Sequence, residues 1–153
     1  MNKFKLTTET QQYFGTTVYR IEALRDIPEW SVKAGDKGGW LEKESNLAQE
    51  GSCWVFDSAR VFGEAQVFGG AWVSGKAKLS KPGHLRCISG LKFHITLTPG
   101  YAVIDCKRMS IKAWLALTKE QAIGMGLPMG EFELVRDALK LLRIKKMKTE
   151  VCA

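Results

Sequence analysis

The sequence predicts a mainly β protein built around a short parallel β-helix of about two coils, and three observations support this fold class. Alanine returns every six residues, at Ala59, Ala65, Ala71 and Ala77. A branched aliphatic residue follows each alanine two positions later, at Val61, Val67, Val73 and Leu79. The last two positions of most units hold Gly, Asp, Ser or Glu, which suit the corners between short strands.

Within each unit the side chains are expected to alternate as in a strand, with the alanine and the aliphatic residue inward and the residue between them outward. The outward residues are mostly polar, as a solvated face requires. An antiparallel meander is the alternative, but it normally shows hairpin turns roughly every 8–12 residues. A corner every six residues, without Asn-Gly or Asp-Gly turns, favours a parallel β-helix instead.

The repeat extends toward the N-terminus, because Leu41 and Leu47 continue the six-residue spacing into Cys53 and Ala59. We therefore expect the β-helix to occupy residues 41–86. A solenoid this short exposes unpaired strand edges, which flanking segments must cover. Residues 1–40 predict an N-terminal β-hairpin cap, and residues 87–153 predict a C-terminal α+β segment, the whole forming one compact domain.

The C-terminal segment contains a hairpin pattern and three helix signals. "LKFHITLTPGYAVIDC" alternates apolar and polar residues on both sides of a Pro-Gly turn. Ser110 is placed to begin a short helix, and Thr118 with Gln121 predicts a capping box for another. A last helix is expected from about residue 131, with one apolar stripe that comprises Phe132, Val135, Leu139 and Leu142.

The six-residue unit resembles the hexapeptide repeat of left-handed parallel β-helices, in which three units make one triangular coil. "VYRIEALRDI" and "VKAGDKGGWLEKESNLAQEGSCWV" resemble the opening of bacterial and phage-encoded hexapeptide-repeat proteins described as putative transferases or as proteins of unknown function. The resemblance implies a left-handed coil in which residues 18 apart stack: Trp54 under Trp72, and Arg60 under Lys78. It also implies a homo-oligomer, a dimer or trimer, because left-handed β-helix proteins often associate along their faces.

The net charge and the lengths of the apolar runs limit the classes of partner that the protein is expected to bind. The formal net charge is +7, and much of the excess lies in "KLLRIKKMK" near the C-terminus. Arg143, Lys145 and Lys146 are therefore candidate contacts to nucleic acid. No apolar run is long enough to span a bilayer, and the first residues lack a secretory signal pattern, so we expect a cytoplasmic protein without a membrane partner.

The sequence contains no motif for a cofactor or a metal. The four cysteines are far apart, no CxxC pair occurs, and neither of the two histidines is spaced to complete a zinc site. Phosphate-loop, nucleophile-elbow and zinc-protease patterns are also missing. We therefore expect no metal and no bound cofactor.

Aromatic and basic residues at outward positions predict a binding surface. Trp54, Trp72, Arg60 and Lys78 are expected to stack on one face of the coil. Five aromatic residues lie at or near outward positions: Trp54, Phe56, Phe62, Phe68 and Trp72. So many large apolar side chains are not expected to stay in contact with water, and two explanations are open for them. They are buried beneath the hairpin or the last helix, or they form a subunit or partner interface.

The resemblance also implies an enzyme hypothesis. Hexapeptide-repeat acyltransferases use a histidine as the general base, and His84, at an outward position, is the candidate here. His94 alternates with Phe93 and Ile95, which an ordinary surface position explains. No acidic residue is spaced to orient either ring, and so short a stack leaves little groove for a long acyl carrier. No catalytic residue is therefore assigned outside that hypothesis.

The leading functional hypothesis is a non-enzymatic binding protein. The phage-like resemblance implies an accessory phage or prophage protein that binds and inhibits or modulates a host protein or ribonucleoprotein complex, such as a CRISPR or restriction system. The alternatives are an acyltransferase that uses His84 and a nucleic-acid-binding accessory protein that uses the basic C-terminal helix.

Overall fold

The computed structural model describes residues 1–88, 91–105 and 107–142, which form a mainly β chain with few helices. The strands are β1 (Phe4–Tyr13), β2 (Thr16–Ala23), β3 (Lys37–Leu41), β4 (Trp54–Val55), β5 (Arg60–Val61), β6 (Trp72–Val73), β7 (Lys78–Leu79), β8 (Arg86–Ile88), β9 (Ile95–Thr98), β10 (Tyr101–Ile104) and β11 (Lys107–Ser110). The helices are α1 (Ile111–Ala116), α2 (Lys119–Gly124) and α3 (Phe132–Leu142). None of the helices in these ranges is long and apolar enough to cross a membrane.

The repeat forms parallel strand pairs with the predicted 18-residue offset. Trp54 pairs with Trp72 between β4 and β6, and Arg60 pairs with Lys78 between β5 and β7. Backbone hydrogen bonds join one pass of the chain to the next; the Trp54 N–H, for example, donates to the Ala71 carbonyl at 3.0 Å. The predicted stacking of these residues is confirmed.

The inward positions of the repeat form the core of this region. Ala59, Ala65 and Ala71 are at most 2% exposed, and Val61, Val67 and Val73 are fully buried. Burying each valine side chain contributes about 1.5–3 kcal/mol to folding. Successive passes of the chain are only one strand spacing apart, so a small alanine side chain is needed beside each valine. Small and aliphatic inward residues therefore hold successive passes of the chain together.

The first units of the repeat have a different offset from the one predicted. Leu41 pairs with Val61 and Leu47 with Val67, twenty residues along in each case. The segment between Leu47 and Cys53 therefore carries two extra residues. The prediction that the two leucines occupy the alanine positions is wrong: they occupy the valine positions.

Gly39 then takes the alanine position opposite Ala59. A Cβ at Gly39 would lie 2.7 Å from the Ala59 carbonyl oxygen and 2.6 Å from Val55 Cγ1, so this position admits only glycine without movement of the backbone.

Successive units lie in different sheets. β5 and β7 belong to a five-stranded sheet of order β1-β2-β3-β5-β7, whereas β4 and β6 form a separate two-stranded sheet. The Leu47–Val67 bridge makes a third parallel contact between the passes. Each of the strands β4 to β7 has two residues and is followed by a corner, so residues one full pass apart share a face.

The N-terminal hairpin continues the five-stranded sheet. β1 and β2 pair antiparallel around a two-residue turn at Phe14 and Gly15, and β2 pairs antiparallel with β3. This pairing covers the edge that β3 would otherwise expose. The hairpin is also anchored at its start, where the buried Lys3 Nζ donates to the Cys53 carbonyl at 2.8 Å and contacts Cys53 Sγ at 3.1 Å.

The C-terminal segment builds a second core. β8 to β11 form an antiparallel sheet of order β11-β10-β9-β8, and Ile95, Leu97 and Ala102 on it pack with residues of the helices. The predicted caps are present: Ser110 Oγ accepts from the Ala113 N–H, and Thr118 with Gln121 forms the capping box.

The last helix, α3, shows most of its predicted apolar stripe. Phe132, Val135 and Leu139 are buried against the second core. Leu142 was predicted on the same stripe but is 36% exposed, at the last described turn of the helix.

Candidate binding surface

A row of large side chains crosses the outer face of the five-stranded sheet. Arg20 of β2 pairs with Trp40 of β3, Trp40 pairs with Arg60 of β5, and Arg60 pairs with Lys78 of β7. Directly paired residues project from the same face of a sheet, so all four share one face. We call Arg20, Trp40, Arg60 and Lys78, together with Tyr13 described next, the basic face.

The tip of the N-terminal hairpin lies against this row. Tyr13 carries two cations on its ring: Arg60 Cζ is 4.8 Å and Lys78 Nζ is 5.2 Å from the ring centroid. Arg60 Nη2 also donates to Gln11 Oε1 at 3.1 Å. At the other end of the row, Arg20 Cζ lies 5.3 Å from the centroid of the Trp40 ring. Aromatic rings, rather than carboxylates, hold these cations in place.

The cations of the basic face have no ionic partner in the described part of the chain. The ion pairs there are Lys5–Glu22, Lys33–Asp26, Lys37–Glu9, Lys43–Glu64 and Lys107–Asp105. None of them includes Arg20, Arg60 or Lys78. The Nε atoms of both arginines are buried and have no hydrogen-bond partner within the described ranges. Three half-buried positive charges therefore lie together without compensation.

An exposed phenylalanine stands beside the basic face. Phe14 occupies the first turn position between β1 and β2, with φ +47°, and Gly15 follows with φ +78°. A two-residue hairpin turn with two positive φ angles normally carries Asn-Gly, because a bulky residue there costs about 1–2 kcal/mol. Phe14 is nevertheless 64% exposed, and its ring contacts only Tyr13 among the aromatic rings described, edge-on at 4.6 Å.

The tryptophans predicted for the binding surface are placed differently. Trp54 is 1% exposed and packs edge-on against Phe4 of β1, with ring centroids 6.5 Å apart. Trp72 is half-buried, stacked on Phe56 at 4.2 Å and edge-on to Trp30 at 4.8 Å. The prediction that Trp54 faces a partner is wrong, because the N-terminal strand covers it. Of the two explanations left open, burial beneath the hairpin is confirmed for Trp54.

The four predicted residues also do not share one face. Trp54 and Trp72 lie in the two-stranded sheet, whereas Arg60 and Lys78 lie in the five-stranded sheet. The prediction that all four stack together is wrong, because a corner separates Trp54 from Arg60 and another separates Trp72 from Lys78. Arg143, Lys145 and Lys146 lie outside the described residues.

His84 is placed in a turn rather than at an outward strand position. Its N–H donates to the Lys81 carbonyl, and its ring Nδ1 accepts from the Ser80 N–H at 3.2 Å. Burial, together with the charge of Lys81, lowers the pKa of His84 below its ordinary value, so the ring is neutral at pH 7. A neutral imidazole that accepts at Nδ1 carries its proton on Nε2. Neither nitrogen is then free to take a proton from a substrate, which argues against His84 as a general base.

His94 lies at an open cleft on another side of the repeat. The cleft has a volume of about 420 Å³, and its lining residues are Arg25, Ile27, Glu29, Gly51, Ser52, Gly69, Gly70 and His94. The His94 ring covers Gly70, where a Cβ would lie 3.0 Å from His94 Cε1, and it meets the Trp30 ring edge-on at 6.4 Å. The exposed imidazole, a carboxylate and a guanidinium thus line the same cleft.

Part of the chain is similar in sequence to a curated protein. A protein of Escherichia coli (strain K12) described as "Uncharacterized acetyltransferase YdcK" is 37% identical over 65 residues, which is 37% of this chain and 19% of that protein. The chain therefore spans about a fifth of the length of the curated relative it matches. No family model matches the chain. The similarity supports a transferase-like relationship for part of the chain.

Several residues of the basic face were missed in the sequence. Arg20 alternates with the buried Ile21 in "VYRIEA", which does mark it as outward. Its neighbours across the sheet could not be identified, because the register of β2 on β3 and the two-residue insertion before Cys53 are not evident from the repeat. The sequence did mark Phe14 as unusual, because a large residue precedes glycine at a position where a turn was expected.

Proposed function

We propose that the chain is a left-handed parallel β-helix protein of the hexapeptide-repeat type that binds an anionic macromolecule through its basic face. Two observations support the fold. Two strand pairs of the repeat have an offset of 18 residues, and parallel contacts join the passes at three separate places, as three-unit coils require. The repeat pattern, together with the acetyltransferase similarity, supports the hexapeptide-repeat type.

The uncompensated charge of the basic face carries the functional proposal. Arg20, Arg60 and Lys78 project from one sheet face without a carboxylate partner in the described chain, and two guanidinium Nε atoms lack any acceptor. The two Nε atoms are covered by the chain itself, so a bound anion is reached only by the parts of these half-buried side chains that stay exposed. A charge-assisted hydrogen bond from such a group contributes about 1.5–3 kcal/mol. An anionic partner therefore supplies the opposite charge that these cations lack within the described chain.

The test compares two double variants of equal charge. Arg60→Gln/Lys78→Gln removes two cations from the basic face, and Lys119→Gln/Lys140→Gln removes two exposed cations from α2 and α3. Binding of three probes, poly-glutamate, heparin and an oligothymidylate, is measured by titration at low salt. We expect the basic-face variant to lose at least tenfold in affinity for the probe that binds, and the helix variant to lose little. Equal losses in the two variants would contradict the proposal.

Inhibition of a host complex is the narrower form of this proposal. The phage-like resemblance suggests a host protein or ribonucleoprotein as the partner, and such a partner would have to engage the basic face. The decisive assay adds purified chain to an isolated CRISPR or restriction complex and measures its cleavage activity. We expect inhibition by the wild type and by the Lys119→Gln/Lys140→Gln variant, and none by Arg60→Gln/Lys78→Gln. If cleavage is unaltered by the wild type and by both variants, the proposed inhibition of a host complex is contradicted.

Acyl transfer is a second candidate, which the similarity to an acetyltransferase favours over inhibition. Within the described residues, His94 suits the role of base better than His84 does, because its ring is exposed at a cleft that also holds Glu29 and Arg25. The test measures acetyl transfer from acetyl-coenzyme A to a panel of amine and hydroxyl acceptors. We expect His94→Asn to abolish turnover and His84→Asn to preserve it. Absence of turnover in the wild type on every acceptor would count against this function.

A further inference from the structure

We propose that the partner of the basic face is single-stranded nucleic acid, with Phe14 stacking on a base while Arg60 and Lys78 contact phosphates. This inference rests on the proposed binding of an anionic macromolecule and names its chemical class. It depends on two features that lie side by side at the hairpin tip: an exposed aromatic ring and a pair of uncompensated cations.

The position of Phe14 favours a ligand with planar groups. Its side chain is 64% exposed at a turn position whose backbone suits asparagine better, so packing within the chain does not explain the residue. The neighbouring ring, Tyr13, already carries Arg60 and Lys78 on its face. Every nucleic-acid base offers a flat ring to Phe14, whereas poly-glutamate and sulfated polysaccharides carry no aromatic ring. An aromatic ring beside clustered cations is the combination that binds single strands independently of sequence.

The spacing of the cations suits a backbone that runs across the strands. Arg60 and Lys78 are on adjacent strands, about 5 Å apart, and Arg20 lies two strands from Arg60, about 10 Å away. Trp40, between Arg20 and Arg60, is only 6% exposed and lies against the Arg20 guanidinium, whereas the half-buried Tyr13 ring lies between Arg60 and Lys78. A strand crossing the sheet from Lys78 toward Arg20 therefore meets three cations in line, with one aromatic ring between the first two.

A duplex fits this surface less well than a single strand does. In a duplex the bases are stacked and paired, so none is free to lie against Phe14 unless it is first unstacked. The basic face is also a sheet surface partly covered by its own hairpin tip, which leaves Phe14 as the projecting group. Preference for single strands is therefore the expected specificity, with little preference for sequence.

The experiment uses fluorescence anisotropy with the full chain and three probes: a labelled oligothymidylate of about ten nucleotides, a duplex of equal length, and poly-glutamate. Phe14→Asn removes the ring and leaves a residue that the turn accepts. Phe68→Asn is the matched control, because Phe68 is also exposed, at 53%, but lies in the repeat away from the basic face. Arg60→Gln/Lys78→Gln tests the phosphate contacts. Thermal melts establish that each variant is folded.

We expect Phe14→Asn to weaken oligothymidylate binding by about 5- to 150-fold, which corresponds to the roughly 1–3 kcal/mol lost with one stacked aromatic. Phe68→Asn should leave the affinity unchanged. The dependence of log K on log salt should become shallower by roughly 1.4 in Arg60→Gln/Lys78→Gln, since each lost phosphate contact removes about 0.7 on a single strand.

Three outcomes would overturn the inference, and two of them leave the proposed function intact. If poly-glutamate binds through Arg60 and Lys78 while the oligothymidylate does not bind, the partner is anionic but is not nucleic acid. If duplex and single strand bind equally and Phe14→Asn has no effect, base stacking is excluded. If no polyanion binds at all, both the inference and the proposed function fail.

Discussion

Gly39→Ala tests the register that places the basic face. A Cβ at this position would lie 2.6 Å from Val55 Cγ1, 2.7 Å from the Ala59 carbonyl oxygen and 3.1 Å from the Phe56 carbonyl oxygen. Two of these three atoms are backbone carbonyl oxygens of the segment between β4 and β5 and cannot rotate away as a side chain could. The alanine therefore forces β3 away from β5, which is where Trp40 meets Arg60.

The expected magnitude has two parts. Overpacking a close-packed site costs about 1–3 kcal/mol, and stretching the hydrogen bond from the Trp40 N–H to the Ala59 carbonyl, 2.9 Å long, costs about 0.5–1.5 kcal/mol more. We expect the free energy of unfolding to fall by about 2–4 kcal/mol. Urea denaturation, followed by fluorescence of the tryptophans, should show a lower midpoint at an unchanged slope.

Gly124→Ala is the control, because a Cβ there meets nothing within 4 Å and the residue ends helix α2. Its free energy of unfolding should stay the same or rise slightly, since alanine favours helix by about 1 kcal/mol over glycine. If Gly39→Ala is as stable as Gly124→Ala, position 39 does not face Ala59. The offset of twenty residues between β3 and β5 would then be incorrect, and Arg20 and Trp40 would not be in line with Arg60.

Three further predictions concern residues around the hairpin. Trp54→Ala should lower the free energy of unfolding by about 3–5 kcal/mol in urea denaturation, because the ring is buried; a folded, fully stable variant would contradict its burial. Burial lowers the pKa of Lys3 below 10.5, so the unfolded chain binds more protons just below pH 10.5 and stability should rise with pH through that window. Lys3→Met should remove this rise in stability, and a rise that persists in the variant would come from another titrating residue. Phe14→Asn should lose no thermal stability and gain up to about 1 kcal/mol, since relief of the turn offsets the lost contact with Tyr13; a clear loss would show that the ring serves folding.

The sequence was sufficient for the parts of the fold that depend on local periodicity. Alternating alanine and valine determine which residues point inward, and the six-residue spacing determines which residues stack, so Trp54 over Trp72 and Arg60 over Lys78 were predictable. The helix caps at Ser110 and Thr118 were predictable because a cap is formed by residues within one turn.

The burial of Trp54 and the assembly of the basic face depend on contacts between segments that are distant in the sequence. The burial of Trp54 requires Phe4, fifty residues away, and no periodic pattern links the two. The basic face requires the register of β2 on β3, to which no periodic pattern points. It also requires the offset of β3 on β5, which depends on an insertion whose length the repeat alone does not reveal. The expected dimer or trimer and the expected cytoplasmic location stay predictions. Sedimentation analysis of the purified chain tests the oligomeric state.

Hydrogen exchange of the full chain, with and without a saturating polyanion, is the most direct test of binding at the basic face. We expect slower exchange at the hairpin tip and along β5 and β7, where Tyr13, Arg60 and Lys78 lie, and unchanged exchange in α1 and α2. Protection confined to the last helix, or to the cleft around His94 and Gly70, would place binding elsewhere and contradict the account.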